Sequence, residues 1–152
     1  MQPMFEDFVK PHLMKLTGEV IKSKFVRVFG LGESNAAYML KELIDNQSNP
    51  TIAPYAKKTE SFFRITAKAS NESEADKMLQ STSEEIYKIL GDAVYGENED
   101  SLQSVLVALL KENNLKISFA ESCTAGLIAS KIGEISGASD VLNESYVTYS
   151  NV

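Results

Sequence analysis

Glu121, Ser122, Cys123 and Thr124 place a carboxylate, a hydroxyl, the chain's single thiol and a second hydroxyl in consecutive positions. They follow the short apolar run of "SFAESCTAG" and precede Ala125, Gly126 and a helical pattern. A strand that turns directly into a helix leaves its turn residues at the carboxyl edge of the sheet, where α/β folds bind ligands. Around Thr124 to Gly126, the first helical turn then offers unpaired N–H groups that can hold a phosphate or an oxyanion. Ala125 and Gly126 are small enough to let a ligand come close. A serine beside such donors is placed for acyl transfer. Three readings stay open on spacing alone. Ser122 is a nucleophile; or Cys123 is one, its thiol acidified by the helix start; or Ser122 or Thr124 caps the helix. Spacing favours the cap, because the G-x-S-x-G elbow is absent.

Candidate bases are few. His12 is the only histidine and lies far upstream, before the first strand pattern. A Ser-His-Asp triad or a Cys-His pair would therefore have to be assembled between two separate parts of the chain. A serine nucleophile here needs a lysine or a tyrosine instead. Tyr149, on the last strand pattern, reaches the same edge if the two strands are neighbours. One histidine and one cysteine make no metal site, and no cofactor is expected.

The bulk composition fits these readings. The 152 residues are 43% hydrophobic and 24% charged, which describes a packed fold and not a disordered one. The net charge of −6 argues against a nucleic-acid partner. One cysteine forms no internal disulfide and suits a reducing compartment. No run approaches the roughly 20 apolar residues of a membrane helix, and the first ten residues lack the pattern of a signal peptide. A cytoplasmic protein with no membrane partner is expected.

Several elements must position the motif. Met4, Phe5, Phe8 and Val9 share one helical face, and Pro11 should break or kink that helix. "EVIKSKFVRVFG" reads as a long strand stopped by Gly30 and Gly32. "ESNAAYMLKELIDNQ" is a helix with Ala36, Leu40, Leu43 and Ile44 inward and Ser34 as its N-cap. "NPTIAPYAKKT", with two prolines, is an extended loop or edge segment. "ESFFRITAKAS" is a strand with Phe63, Ile65 and Ala67 on one face and Phe62, Arg64 and Thr66 on the other. Asn71 or Ser73 should cap a helix that buries Met78, Leu79, Ile86, Ile89 and Leu90 and ends at Gly91. The order is β-α-β-α. "GDAVYGENEDS", rich in glycine and acid, reads as a domain boundary. Beyond it come an apolar helix in "SLQSVLVALLKENNL", a strand in "KISFAE", a helix in "TAGLIASKIGEISG" and a strand in "SYVTYSNV". This alternation suggests the start of an α/β sandwich with a mostly parallel sheet. So short a stretch cannot bury faces this apolar by itself, and the expectation is that it begins a larger domain. Its incomplete sheet would leave an edge that invites pairing.

"AESCTAG" at 120–126, "GAS" at 137–139 and "VTYSN" at 147–151 together resemble the amidohydrolase domain of the CinA (competence/damage-inducible) family of bacteria. That domain resembles the stand-alone nicotinamide-nucleotide amidohydrolases, which convert nicotinamide mononucleotide to the acid and ammonia. "PMFEDFVKPHL" looks like the last helix of the family's upstream molybdopterin-binding-like domain, and "NPTIAPYAK" with the strand after it looks like its KH-type middle domain. The resemblance implies a terminal helix over 1–16, a KH-like domain over 17–98 and the first part of the amidohydrolase domain over 99–152. The fold class is then α/β: an α+β KH-like domain followed by the start of an α/β sandwich. It implies Ser122 as nucleophile and Tyr149, with a lysine five positions later, as its activators. Val152 ends the chain before that lysine, so a polypeptide of these residues is expected to be inactive. Glu121, Cys123, Thr124, Ala125 and Gly126 form the expected substrate-binding set, with Cys123 reduced to packing. The family has two glycines after the threonine; here Ala125 stands first, and its methyl is expected to crowd the ligand slightly. The implied partner is nicotinamide mononucleotide, and the full-length protein is expected to be a homo-oligomer.

Two other features point elsewhere. "FGLGES" lacks the third glycine of a dinucleotide fingerprint, Asn35 standing in its place, and is read as a turn plus helix cap. Lys22, Lys24, Arg27, Lys57, Lys58, Arg64 and Lys68 gather on strand segments. No G-x-x-G, the loop that clamps RNA backbone in KH domains, occurs. The pattern is read as a solvated sheet face or an interdomain contact. A non-catalytic scaffold, with or without nucleic acid, is the alternative function.

Overall fold

The computed structural model of the chain describes residues 2–57 and 60–150. It divides into two compact units, 1–98 and 99–152.

In the first unit, α1 (Gln2–Met4) runs through a π-helical turn at Phe5–Val9 into α2 (Lys10–Thr17). Pro11 therefore does not break the helix. The wider turn just before it, with Lys10 N–H donating to the Phe5 carbonyl, absorbs the hydrogen bond and the space that a proline denies. Met4, Phe5, Phe8, Val9 and Leu13 all stand exposed on it. Strand β1 (Val20–Val28) follows. The single helix expected next is two: α3 (Glu33–Met39) and α4 (Lys41–Asp45), separated at Leu40. The cap of α3 is Gly32, so Ser34 lies inside the helix and not at its start.

The proline-bearing segment is strand β2 (Thr51–Ala56), at the edge of the sheet, where Pro54 is tolerated. Strand β3 (Ser61–Ala69) buries every second residue, with Phe63, Ile65 and Ala67 inward as the alternation predicts. Helix α5 (Glu72–Leu90) is capped by Asn71, whose side chain accepts the Glu74 N–H at 2.9 Å. It buries Ala75, Leu79, Ser83, Ile86 and Leu90, whereas Ile89, expected inside, is 38% exposed. The acidic, glycine-bearing segment read as a linker contains a fourth strand, β4 (Val94–Glu97), paired antiparallel with β1.

The sheet is antiparallel in the order β2-β3-β1-β4. With helices between β1 and β2 and between β3 and β4, this is the split β-α-β arrangement. One face packs on α3 and α5 through Val26, Val28, Ala36, Leu40, Phe63, Ile65, Leu79 and Ile86. The other face contributes no residue to this core. Lys22 and Lys24 project to the helix side, where they meet Asp76 at 2.7 Å and Glu97 at 2.7 Å respectively. The cations that sequence gathers together are thus divided between two faces.

In the second unit, α6 (Leu102–Glu112) begins with a reciprocal cap between Ser101 and Ser104. Strand β5 (Ile117–Glu121) pairs in parallel with β6 (Leu142–Val147), and α7 (Leu127–Gly133) connects them. Val107, Ile132, Ala138 and Val141 form its small core. Strand β6 starts earlier than the sequence pattern suggests and ends before Tyr149. The antiparallel and parallel sheets with their helices agree with the expected α/β class. No helix among the described residues is long and apolar enough to cross a membrane.

Phe63 is fully buried in the middle of the first core. Phe63→Ala should lower the unfolding free energy by about 3–5 kcal/mol in denaturant titration. A loss below about 1 kcal/mol would contradict its place in the core.

Candidate active site

Register brings the motif residues to one edge. In the parallel pair Glu121 lies opposite Val147. The ladder continues one step further, with Thr148 N–H donating to the Glu121 carbonyl at 2.8 Å. Ser122 and Tyr149 therefore both follow the carboxyl ends of adjacent parallel strands, the edge at which α/β sheets bind ligands. Ser122 is exposed, and Tyr149 is 69% exposed. Tyr149 extends past β6 and is not a sheet residue.

The turn between β5 and α7 is organised by Glu121, which is 3% exposed. Its carboxylate oxygens accept the N–H groups of Ile128 at 3.0 Å and Ala129 at 2.9 Å. The Thr124 hydroxyl and the Gly126 N–H also favour its charged form. Burial pushes this carboxyl up, but the Ala129 and Ile128 N–H groups, followed by Thr124 and Gly126, outweigh that and hold it below its usual value. An anion at the start of a helix also meets the positive end of the helix dipole.

Helix α7 is therefore capped from the strand before it. The cap expected from Ser122 or Thr124 is not there: α7 starts at Leu127, its N-cap position is Gly126, and no side chain of that residue can serve. Glu121 was expected among substrate-binding residues, yet its carboxylate points inward and is occupied by the helix. It positions the loop.

Two tight turns fill residues 122–127. Ala125 N–H donates to the Ser122 carbonyl at 3.0 Å, and Leu127 N–H donates to the Thr124 carbonyl at 3.0 Å. The Ala125 N–H, one of the donors expected to hold an oxyanion, is thus committed inside the loop. Ala125 and Gly126 both adopt the left-handed conformation, with φ of 50° and 89°. Gly126 is tight as well as left-handed, since a Cβ there would lie 3.3 Å from Val147 Cγ2. Ala125 is exposed, so the effect of its methyl is on backbone strain more than on ligand approach. Cys123 is exposed and not the packing residue expected of it. Its chemistry is open to solvent, beside Ser122.

The role of Glu121 escaped the sequence because an acid at a strand end looks the same whether it faces a ligand or a helix. The only signal was its place, six residues before the first helical residue of the next element. No group of acids, cysteine and histidine that could hold a metal occurs among the described residues.

Two outcomes follow from this turn. Because the folded Glu121 carboxyl titrates below its ordinary value of 4.5, its contribution to stability is complete above that pH and is lost as pH falls through the lower folded value. Unfolding free energies of the wild type and Glu121→Gln should therefore differ at neutral pH and converge in acid; a difference independent of pH would contradict the assignment. Ala125→Gly should raise the unfolding free energy by about 0.5–1 kcal/mol, because glycine adopts positive φ without the Cβ clash. A loss of stability would show that the alanine methyl makes a compensating contact.

Comparison with known proteins agrees with the two-unit division. Residues 23–96 match the family model of the damage-inducible protein CinA KH domain, and residues 99–152 match that of the CinA C-terminal domain. A CinA-like protein of Kosmotoga olearia is 50% identical over 151 residues, which make up 99% of this chain and 37% of that protein. A putative competence-damage inducible protein of Clostridium botulinum is 48% identical, and a CinA-like protein of Dictyoglomus turgidum 49%, over the same shares. The chain thus spans 37% of the length of these relatives. The β5–β6 edge with its Glu121-held turn lies in the segment matched by the C-terminal model, and the chain belongs to the CinA family.

Proposed function

We propose that this chain contributes the nucleophile side of an amidohydrolase site, acting on the carboxamide of nicotinamide mononucleotide. The observation that carries this reading is the presentation of Ser122. It stands exposed on the residue after a buried, fully engaged anion, at the same sheet edge as Tyr149, which follows the end of the neighbouring strand. A hydroxyl held this way loses little freedom on meeting an acyl carbon, which is the entropic part of catalysis.

In the proposed reaction the Ser122 Oγ attacks the amide carbon as its proton passes to a base. Tyr149 relays or assists that transfer to the lysine implied by the family pattern. The C–N bond breaks, ammonia leaves with a proton, and water cleaves the acyl-serine to the free acid. The Cys123 and Thr124 N–H groups, next in sequence to the nucleophile, serve as backbone donors for the developing oxyanion in this reading, since that of Ala125 is taken. Of the substrate-binding set, Cys123 and Thr124 remain beside the nucleophile, while Glu121, Ala125 and Gly126 build the turn.

The test is ammonia release from nicotinamide mononucleotide by a full-length protein carrying this segment. Ser122→Ala should lower turnover by about a thousandfold or more, and Cys123→Ala should leave most of it. The reverse pattern would assign the nucleophile to the thiol.

A further inference from the structure

The two faces of the parallel pair are built differently. Phe119 on β5 packs into the small core with Val107 of α6 and Ile132 of α7. Its neighbours Ser118 and Ala120 alternate to the opposite side and are exposed. On β6 the register sets Glu144 opposite Ser118 and Tyr146 opposite Ala120. Glu144 and Tyr146 therefore stand on that same side, and they are joined there. The Tyr146 hydroxyl donates to the Glu144 carboxylate at 2.7 Å.

Tyr146 is 58% exposed, so this bond holds the tip of the side chain and leaves the ring open. No other ring and no cation covers it among the described residues. Ser118 and Ala120 are the smallest residues of β5 and leave low ground beside it. The second unit's ion pairs among the described residues, Lys111 with Asp140 and Lys131 with Glu134, do not include Glu144. An aromatic face and a carboxylate without a cation thus lie side by side, on the strand that leads to Tyr149.

We propose that Tyr146 and Glu144 hold the substrate ring, and that they select a planar cationic carboxamide over a neutral one. The inference rests on the amidohydrolase reading and deepens it. The pyridinium of nicotinamide mononucleotide is flat and carries a positive charge. The electron-rich face of a tyrosine attracts such a ring, and a carboxylate beside it attracts the charge. Ser122 comes two residues after Ala120, about 7 Å further along the chain, the span of a ring with its carboxamide. A ring seated at Tyr146 thereby brings its amide carbon to the carboxyl edge. Because Glu144 already holds the tyrosine, little side-chain freedom is lost on binding. Both residues determine specificity, and neither moves a proton in the acyl transfer.

The test compares nicotinamide mononucleotide with its uncharged benzamide analogue on a full-length protein carrying this segment. Ammonia release gives kcat and KM, and calorimetry on the Ser122→Ala variant gives Kd without turnover. The cation should be preferred about tenfold in KM and in Kd. Tyr146→Leu and Glu144→Gln should each raise KM for the mononucleotide about tenfold, change kcat less than about threefold, and reduce the preference to about twofold or less. Tyr146→Phe, which keeps the ring face, should retain most of the preference. Tyr146 and Glu144 are both exposed, so either variant can stand for the other if circular dichroism shows that one is unfolded. Equal affinity for the two compounds, or a preference that survives both Tyr146→Leu and Glu144→Gln, would overturn the proposal. Cation-selective binding with no ammonia release would instead sink the amidohydrolase reading and leave the ring site standing.

Discussion

A buried carboxylate holds the second unit's functional edge together. Glu121 ends β5, yet its side chain reaches past five residues to take the first free N–H groups of α7. An anion withdrawn from water is tolerated only where donors replace the solvent, and here the donors are the N–H groups of Ile128 and Ala129. The geometry of the intervening turn follows from that demand. To bring those donors around one carboxylate, the chain must coil tightly, and Ala125 and Gly126 enter the left-handed region to do so. Ser122 and Cys123 are left at the outer surface as a consequence.

The same element also ties the two strands. Main-chain and side-chain groups of Glu121 serve different partners: the carbonyl takes Thr148 N–H while the carboxylate takes the helix. One residue therefore sets the position of the segment holding Ser122 and that of the segment leading to Tyr149. Gly126 closes the arrangement from the other side, against Val147. The first unit solves a different problem. Its sheet has one face committed to α3 and α5, and the opposite face carries rings and cations.

Much of this was legible in the sequence where local pattern and tertiary environment agree. The alternation in β3, the amphipathic spacing of α5, its Asn71 cap and its Gly91 end all came through, because burial on one face is what the pattern records. Strand β4 did not, since Val94 to Glu97 gain their structure from pairing with β1 and are flanked by glycine and acid. The break expected at Pro11 failed for a related reason: a π turn removes the conflict that the rule assumes. At the candidate site, the family resemblance pointed to Ser122 and Tyr149, and both follow the ends of adjacent parallel strands at one edge. The exposure of Cys123, the inward carboxylate of Glu121 and the backbone strain at Ala125 were not legible, because each depends on how a turn is coiled and not on which residues form it.

The claim that most needs a direct answer is that Ser122, and not its exposed neighbour, carries the acyl group. Acid-quenched turnover of nicotinamide mononucleotide by a full-length protein containing this segment, followed by peptide mass mapping, separates the two. The account predicts an ester of nicotinate mononucleotide on Ser122; a thioester on Cys123 would contradict it.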